Sequence, residues 1–257
     1  MRYLNLIASK IRDIFRSTTA GTKVEIISYE DPVLVEEIVT KTQARSMELN
    51  KNAPLTSPEI RTATGFMMLP NRGHLRVLDL GGGAGTHFDT LKRIFPEAEI
   101  DYYVIETKEM VRQASEKRIA IDGLTFLSDP ESPSLRGDFD LMLANSSIQY
   151  LSDVDKTLKQ LLKLRPKNIF ITRTPLTFDA ETVSIDQISR LVDNGPFGRA
   201  SNSRALVRYE ANVLPLKDFT KIFSEDYKEL FSIQEEQSPF GHEHPKINSW
   251  GFFFVLI

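Results

Sequence analysis

The chain contains no cysteine. That excludes disulfides and cysteine-ligated metal, and it fits a reducing, cytoplasmic setting. Long apolar runs are also missing, since nothing approaches the roughly 20 residues a membrane span requires. Neither sign of charge dominates. Thirty-two Lys and Arg stand against 35 Asp and Glu, a formal net charge of -3 over 257 residues. A surface that holds nucleic acid by bulk electrostatics is therefore not expected. Internal repeats and low-complexity tracts are absent. The first residues lack the continuous apolar core of a secretory signal, because Arg2, Lys10 and Arg12 interrupt it. Leu4, Ile7, Ile11, Ile14 and Phe15 fall on one helical face. Two readings stay open for residues 1–16: a helix docked on the domain, or peripheral contact with an anionic membrane.

What is present is an alternation of strand and helix patterns, in a chain long enough for one α/β domain with an appendage. Residues 1–70 read as a helical N-terminal cap. One helix is expected from Glu30 to Leu49, with Asp31 as cap and Pro32 in the first turn. Another is expected from Ser57 towards Met68. Residues 71–257 read as the main domain. Strands are expected at Leu75–Leu80, Glu99–Ile105, Leu124–Leu127, Phe139–Ala144 and Asn168–Arg173, with helices between them. A final strand pair is expected at Leu230–Glu236 and Trp250–Ile257. Residues 175–214 read as an irregular, substrate-side insertion, since so long a loop in a compact domain usually has a function. The fold class is thus α/β, with a mostly parallel sheet of seven strands flanked by helices.

The most specific stretch runs from Val77 to His87. An apolar strand ends in Asp79-Leu80, and glycines follow at Gly81, Gly83 and Gly85. Alternate glycines after a strand let backbone approach a ligand closely. A dinucleotide loop usually opens on glycine and offers N–H groups to a pyrophosphate. A carboxylate at the strand end instead suits a ligand with positive charge, such as S-adenosylmethionine (SAM). Glu106, at the end of the second strand, has the spacing expected of an acid that accepts hydrogen bonds from ribose hydroxyls. Phe126, Leu127 and Asp129, after the third strand, stand where adenine would lie, although Asp129 before Pro130 is equally a turn residue. Asn145 and Ser146, ending the fourth strand, belong near the methionine part of the cofactor or the acceptor.

The segments Leu78–Phe88, Tyr103–Thr107, Asn145–Leu151, Arg173–Leu176 and Glu243–Pro245 together resemble the Rossmann-like class I SAM-dependent methyltransferases. Within them, residues 75–257 are similar to a bacterial family associated with surface-polysaccharide genes. The resemblance implies methyl transfer from SAM to an oxygen or nitrogen of a small-molecule acceptor. That acceptor would be a sugar, a glycan precursor or an anionic metabolite. A non-catalytic SAM-binding partner of a glycan-assembly enzyme is the alternative.

Transfer to an alcohol or amine needs a proton acceptor. His87, beginning the helix after the glycine loop, is the first candidate base; contact with the cofactor or substrate is its other reading. His244 is the second candidate, and the resemblance implies a pocket-lining role for it. His242, Glu243 and His244 are too weak a pattern to assign a metal. Arg173 at the end of the fifth strand and Arg199, Arg204 and Arg208 in the insertion would suit an anionic acceptor. Tyr150 would cover the methionine moiety or staple the next helix. A nucleotide-dependent oxidoreductase is disfavoured, because Asp79 precedes the glycines and no Tyr-x-x-x-Lys pair follows the fourth strand.

Overall fold

A computed structural model describes residues 26–70, 73–118, 121–196, 200–235, 240 and 244–257. Residues 1–16, Arg199, His242 and Glu243, singled out above, lie outside the described residues. The chain enters through a short strand, β1 (Ile26–Ile27), and two helices, α1 (Pro32–Asn50) and α2 (Ser57–Met67). Asp31 caps α1 by accepting the Val33 N–H at 2.9 Å, with Pro32 in the first turn. Thr56 and Glu59 form a capping box at the start of α2. Glu59 also holds Arg45 of α1 through two contacts of 2.7 Å, which ties the helices together where both side chains are buried.

The alternating segment follows as β2 (His74–Leu80), α3 (Thr86–Ile94), β3 (Glu99–Ile105), α4 (Lys108–Lys117), β4 (Leu124–Leu127) and β5 (Leu141–Asn145). Then come α5 (Val154–Leu162), β6 (Asn168–Thr177), β7 (Val183–Arg190), β8 (Leu206–Pro215), α6 (Leu216–Lys221), β9 (Tyr227–Gln234) and β10 (Ile247–Leu256). Strands β4, β3, β2, β5 and β6 lie side by side in parallel. β10 runs antiparallel to β6, and β9 antiparallel to β10. These seven are the strands expected from the sequence.

The insertion is where expectation and structure part. Residues 175–214 are not irregular: they hold the end of β6 and nearly all of the antiparallel β7–β8 ribbon. β8 joins β6 through Leu176↔Leu214 and accepts β1 at its other end, so the sheet has ten strands among the described residues. The ribbon escaped notice because β7, Val183-Ser-Ile-Asp-Gln-Ile-Ser-Arg190, is half-buried on one side only and rich in polar residues.

The sheet is buried on both faces, as central parallel strands require. Leu78, Leu80, Met142, Ala144, Ile169 and Ile171 belong to one apolar cluster, with Leu158 and Leu161 of α5 and Phe219 of α6. Leu75, Val77, Tyr102, Leu141, Leu143 and Phe170 belong to a second, with Phe66 of α2 and Phe88 and Leu91 of α3. Each fully buried Leu or Phe contributes about 1.5–3 kcal/mol relative to exposure. Helix α2 comes closest to the sheet at Gly65, where any Cβ would lie 2.2 Å from the Phe170 ring. That approach sets Arg61 and Thr62, one turn earlier, at the carboxyl ends of the strands.

Candidate functional site

A cavity of about 1230 Å³ opens over the carboxyl ends of β2, β3, β5 and β6, beneath α1, α2 and the loop after β7. This is where open α/β sheets bind ligands. Its floor is the loop Gly81–Ala84. Gly81 has φ +72°, and a Cβ there would lie 2.3 Å from the Ser147 Cβ. Only glycine meets both demands. Ser147 in turn donates to the Leu80 carbonyl at 2.6 Å, locking the loop after β5 against the end of β2.

Glu106 lies at the edge of this floor. Its Oε1 accepts the Gly83 N–H at 3.0 Å and its Oε2 accepts the Thr107 N–H at 2.9 Å. Tyr29, in the turn before α1, donates its hydroxyl to Oε1 at 3.4 Å. Burial pushes the Glu106 carboxyl above the usual carboxylate range, while the two backbone hydrogen bonds pull it back. The Tyr29 hydroxyl is raised by burial first and by the Glu106 charge second.

Asp79 does not face the cavity, contrary to its expected place beside a positive ligand. It is fully buried beneath the loop, where a Cβ on Gly82 would fall 2.2 Å from its Oδ2. That oxygen accepts from the Tyr102 hydroxyl at 2.8 Å and stands 2.9 Å from His87 Nδ1. His87 carries the chain of contacts to the cavity, since its Nε2 lies 3.3 Å from Asn145 Nδ2. The Asn145 amide is fixed from both sides: Nδ2 donates to Thr62 Oγ1 at 3.0 Å, and Oδ1 accepts from the Thr172 hydroxyl at 3.1 Å. With Nδ2 as donor, Nε2 of His87 must accept, so Nδ1 carries the hydrogen towards Asp79. Asp79 thus acts through His87 as a positioning residue.

The structure brings Gly81, Gly83, His87, Glu106, Asn145, Ser146, Tyr150 and Arg173 to this one cavity. Several other expected residues stay off its wall. Gly85 is the N-cap of α3. Phe126 packs between two apolar clusters, and Leu127 packs on a third. Asp129 closes a turn by accepting the Glu131 N–H at 2.8 Å. Ser128 and Pro130, their neighbours, line the cavity in their place. His244 starts the turn into β10, where its carbonyl accepts the Ile247 N–H, and it does not reach the wall. Arg208 pairs with Asp186 on the outer side of the ribbon, and Arg204 does not line the cavity either.

Beside Tyr150, the wall holds Tyr29, Tyr209 and Lys41, to which no local sequence motif points. Tyr29, Tyr209 and Tyr150 form an aromatic wall, with the Tyr209 ring centroid 5.9 Å from that of Tyr29 and 5.4 Å from that of Tyr150. Tyr150 donates to Gln187 at 2.9 Å, and Tyr209 donates to Asn194. Burial pushes the Tyr209 hydroxyl up to about 12. Lys41 of α1 donates to the carbonyls of Val192 and Asn194 at 3.1 and 2.6 Å, fastening the loop after β7 over the cavity. Such partners are brought together by folding alone and leave no local motif.

Among proteins of known sequence, a stretch of 113 residues is 28% identical to the trans-aconitate 2-methyltransferase of Deinococcus radiodurans. That stretch covers 44% of this chain and 42% of the relative. A stretch of 90 residues is 30% identical to the malonyl-[acyl-carrier protein] O-methyltransferase of Bacillus cytotoxicus, covering 35% of this chain and 31% of the relative. The chain therefore matches less than half the length of either protein. Among solved structures, the N-terminal domain of EvdMO1 with SAH bound aligns over 85% of this chain and 97% of its own, at 16% identity and a TM-score of 0.50. A SAM-dependent methyltransferase from Clostridium acetobutylicum aligns over 84% of this chain and 98% of its own, at 12% identity and a TM-score of 0.52. These likenesses speak for the fold. A family model described as a methyltransferase domain matches residues 49–212, from the end of α1 into β8. The chain belongs to the methyltransferase-domain family.

Proposed function

We propose that the protein is a SAM-dependent O-methyltransferase acting on a small molecule, with His87 as the proton acceptor. The observation that carries this reading is the Asp79–His87–Asn145 network, which ends at the wall of a cavity floored by the glycine loop. The residues present fit the cofactor. The Gly81–Gly83 turn lets backbone lie against it, and Glu106 is a buried carboxylate at the cavity edge, suited to ribose hydroxyls. Ser128 and Pro130 replace Phe126, Leu127 and Asp129 as the adenine wall, while Asn145 and Ser146 remain for the methionine end. When bound, SAM supplies a methyl group on a sulfonium, so an attacking oxygen forms the O–C bond as the C–S pair returns to sulfur.

The protein's own part is orientation and proton removal. An acceptor hydroxyl entering from the cavity displaces the Asn145 Nδ2–H from the His87 Nε2 lone pair, which then receives its proton, while Asn145 keeps its bond to Thr62 Oγ1. Asp79 holds the ring in that tautomer through Nδ1–H, and Tyr102 fixes the carboxylate from the other side. The O-methyltransferase named among the relatives supports an oxygen acceptor. A sugar or glycan-precursor acceptor is a second reading. The three-tyrosine wall favours it, because aromatic faces pack against the apolar faces of sugar rings.

The test is methyl transfer from methyl-labelled SAM by the purified chain, across organic acids, hydroxy acids and nucleotide sugars. Labelled product is expected from wild type, with kcat reduced about 10²-fold or more in His87→Gln. Tight SAM binding without turnover on any acceptor would instead favour a non-catalytic binding partner. An unchanged kcat in His87→Gln would remove the base.

A further inference from the structure

The charges on the cavity wall do not balance internally. Its three carboxylates are already engaged: Glu59 by Arg45, Glu106 by the Gly83 and Thr107 N–H groups, and Asp193 by Arg190. Arg45 is taken by Glu59, and Lys41 by two carbonyls. Two guanidiniums remain, Arg61 from α2 and Arg173 from β6. Among the described residues, neither makes an ion pair or a side-chain hydrogen bond. The Arg173 guanidinium is pushed below its ordinary range by desolvation first and by the Arg61 charge second, against a smaller opposing pull from the Glu235 carboxylate.

Arg173 is also placed by an unusual backbone. Strand β10 pairs Trp250 with Thr174 and Phe252 with Ile171, so Thr172 and Arg173 together stand opposite Gly251 alone. This is a β-bulge, and Arg173 sits in it at φ +55°. A non-glycine residue held there stores about 1–3 kcal/mol of strain and persists only where its surroundings enforce it. The enforcing contact is the Glu235 carboxylate, which accepts the Arg173 N–H at 2.9 Å and the Ser249 hydroxyl at 3.2 Å. The bulge re-aims one side chain of an otherwise buried strand into the cavity.

Resting on the methyltransferase reading above, we infer that Arg61 and Arg173 together dock a carboxylate of the methyl acceptor, as an anchor separate from the oxygen that receives the methyl group. Two like charges converging on one cavity are unfavourable until an anion lies between them, and a planar guanidinium matches a carboxylate with two parallel hydrogen bonds. The acceptor class is therefore a small hydroxy acid, whose hydroxyl gives its proton to His87, or a polycarboxylic acid, whose attacking carboxylate has no proton to lose and leaves His87 only to orient it. The trans-aconitate enzyme among the relatives is named for such an acid, which agrees with this class.

The test is calorimetry on the full chain. SAH is titrated first, then succinate, tricarballylate and malate into the SAH-loaded protein, each beside its uncharged methyl ester. Wild type is expected to bind at least one acid and not its ester. Arg61→Gln and Arg173→Gln are expected to weaken that acid about 10–100-fold while SAH affinity stays within about twofold. Arg173→Lys, which keeps the charge but loses the fork, is expected to recover part of the loss. Wild type that binds SAH but none of the acids would overturn the inference and leave the methyltransferase reading standing. So would variants that lose SAH affinity instead, since the pair would then serve the cofactor's own carboxylate. Failure of wild type to bind SAH at all would strike the cofactor reading first and this inference with it.

Discussion

At the glycine-loop end of the cavity, the main groups come from one β-α-β unit. Gly81, Gly83 and His87 follow β2, and Glu106 ends β3. The rest of the wall is drawn from other segments: Arg61 and Thr62 come from α2, Arg173 from the bulge in β6, Tyr150 from the turn after β5, and Gln187 and Tyr209 from the β7–β8 ribbon. The first end is stiff through short backbone contacts, such as Gly83 N–H to Glu106 and Ser147 to the Leu80 carbonyl. The second is held by long-range fasteners, such as Lys41 to Val192 and Asn194. One end is thus written locally to hold a fixed ligand. The other is assembled from distant segments, so under the proposed function the acceptor wall could vary without disturbing the glycine loop.

The strongest way to break this comparison is at Gly81. Gly81→Val places a side chain against Ser147 and forces it into a left-handed backbone. We expect a loss of about 2–4 kcal/mol in stability and more than about 10²-fold in SAM affinity. Denaturant unfolding and calorimetry measure the two. A SAM affinity near wild type would show that the seat is not backbone-built.

Asp79→Asn comes next. Both contacts are made by the single oxygen Oδ2, so an asparagine with its amide oxygen there still accepts from Tyr102 and His87 but lacks the charge that stabilises a protonated imidazole. We expect kcat to fall about 10²-fold or more with SAM affinity little changed. A fall in SAM affinity alone would return Asp79 to the cofactor.

Glu106→Gln is expected to weaken SAM about 10–100-fold by equilibrium binding. It also carries a pH signature. The Glu106 carboxyl is raised by burial, so the folded chain holds its proton more tightly than the unfolded chain does. Stability from this group is therefore greatest at low pH, and it falls as pH climbs from the ordinary carboxylate value through the raised one. Thermal melts of the unliganded chain across that range should slope downward from this group, and the slope should flatten in Glu106→Gln. An unchanged slope would mean that the burial is not felt.

The mildest change is at the other end. Lys41→Met leaves the Val192 and Asn194 carbonyls without their donor and loosens the loop. We expect a stability loss of about 1–3 kcal/mol, a few-fold rise in acceptor KM, and SAM affinity within twofold. A larger effect on SAM than on the acceptor would erase the distinction between the two ends.

The same division explains what could be read in the sequence. Helix starts at Asp31-Pro32 and Ser57, and the exact span of β3, are legible because helix-start residues and apolar runs are local signals. Glu106 is legible because a strand end and a spacing define it. Asp79 is legible as important but not in role, since its partner Tyr102 lies across the sheet on β3. Phe126 and Leu127 mislead because an apolar residue on a strand packs in a core at least as readily as it lines a slot. The ribbon and Arg61 leave no mark: a half-polar strand and a lone arginine gain meaning only from what the fold sets beside them.

Strand β6 is shared property. In its first half Ile169 to Thr172 pair in parallel with β5 in the main sheet, while Leu176 and Thr177 at its far end pair with β8 of the outlying ribbon. The bulge at Arg173 falls between these two stretches. The Arg173 guanidinium is therefore mounted on the joint between the main sheet and the ribbon that walls the cavity, so its aim is fixed by the angle at which those two parts meet.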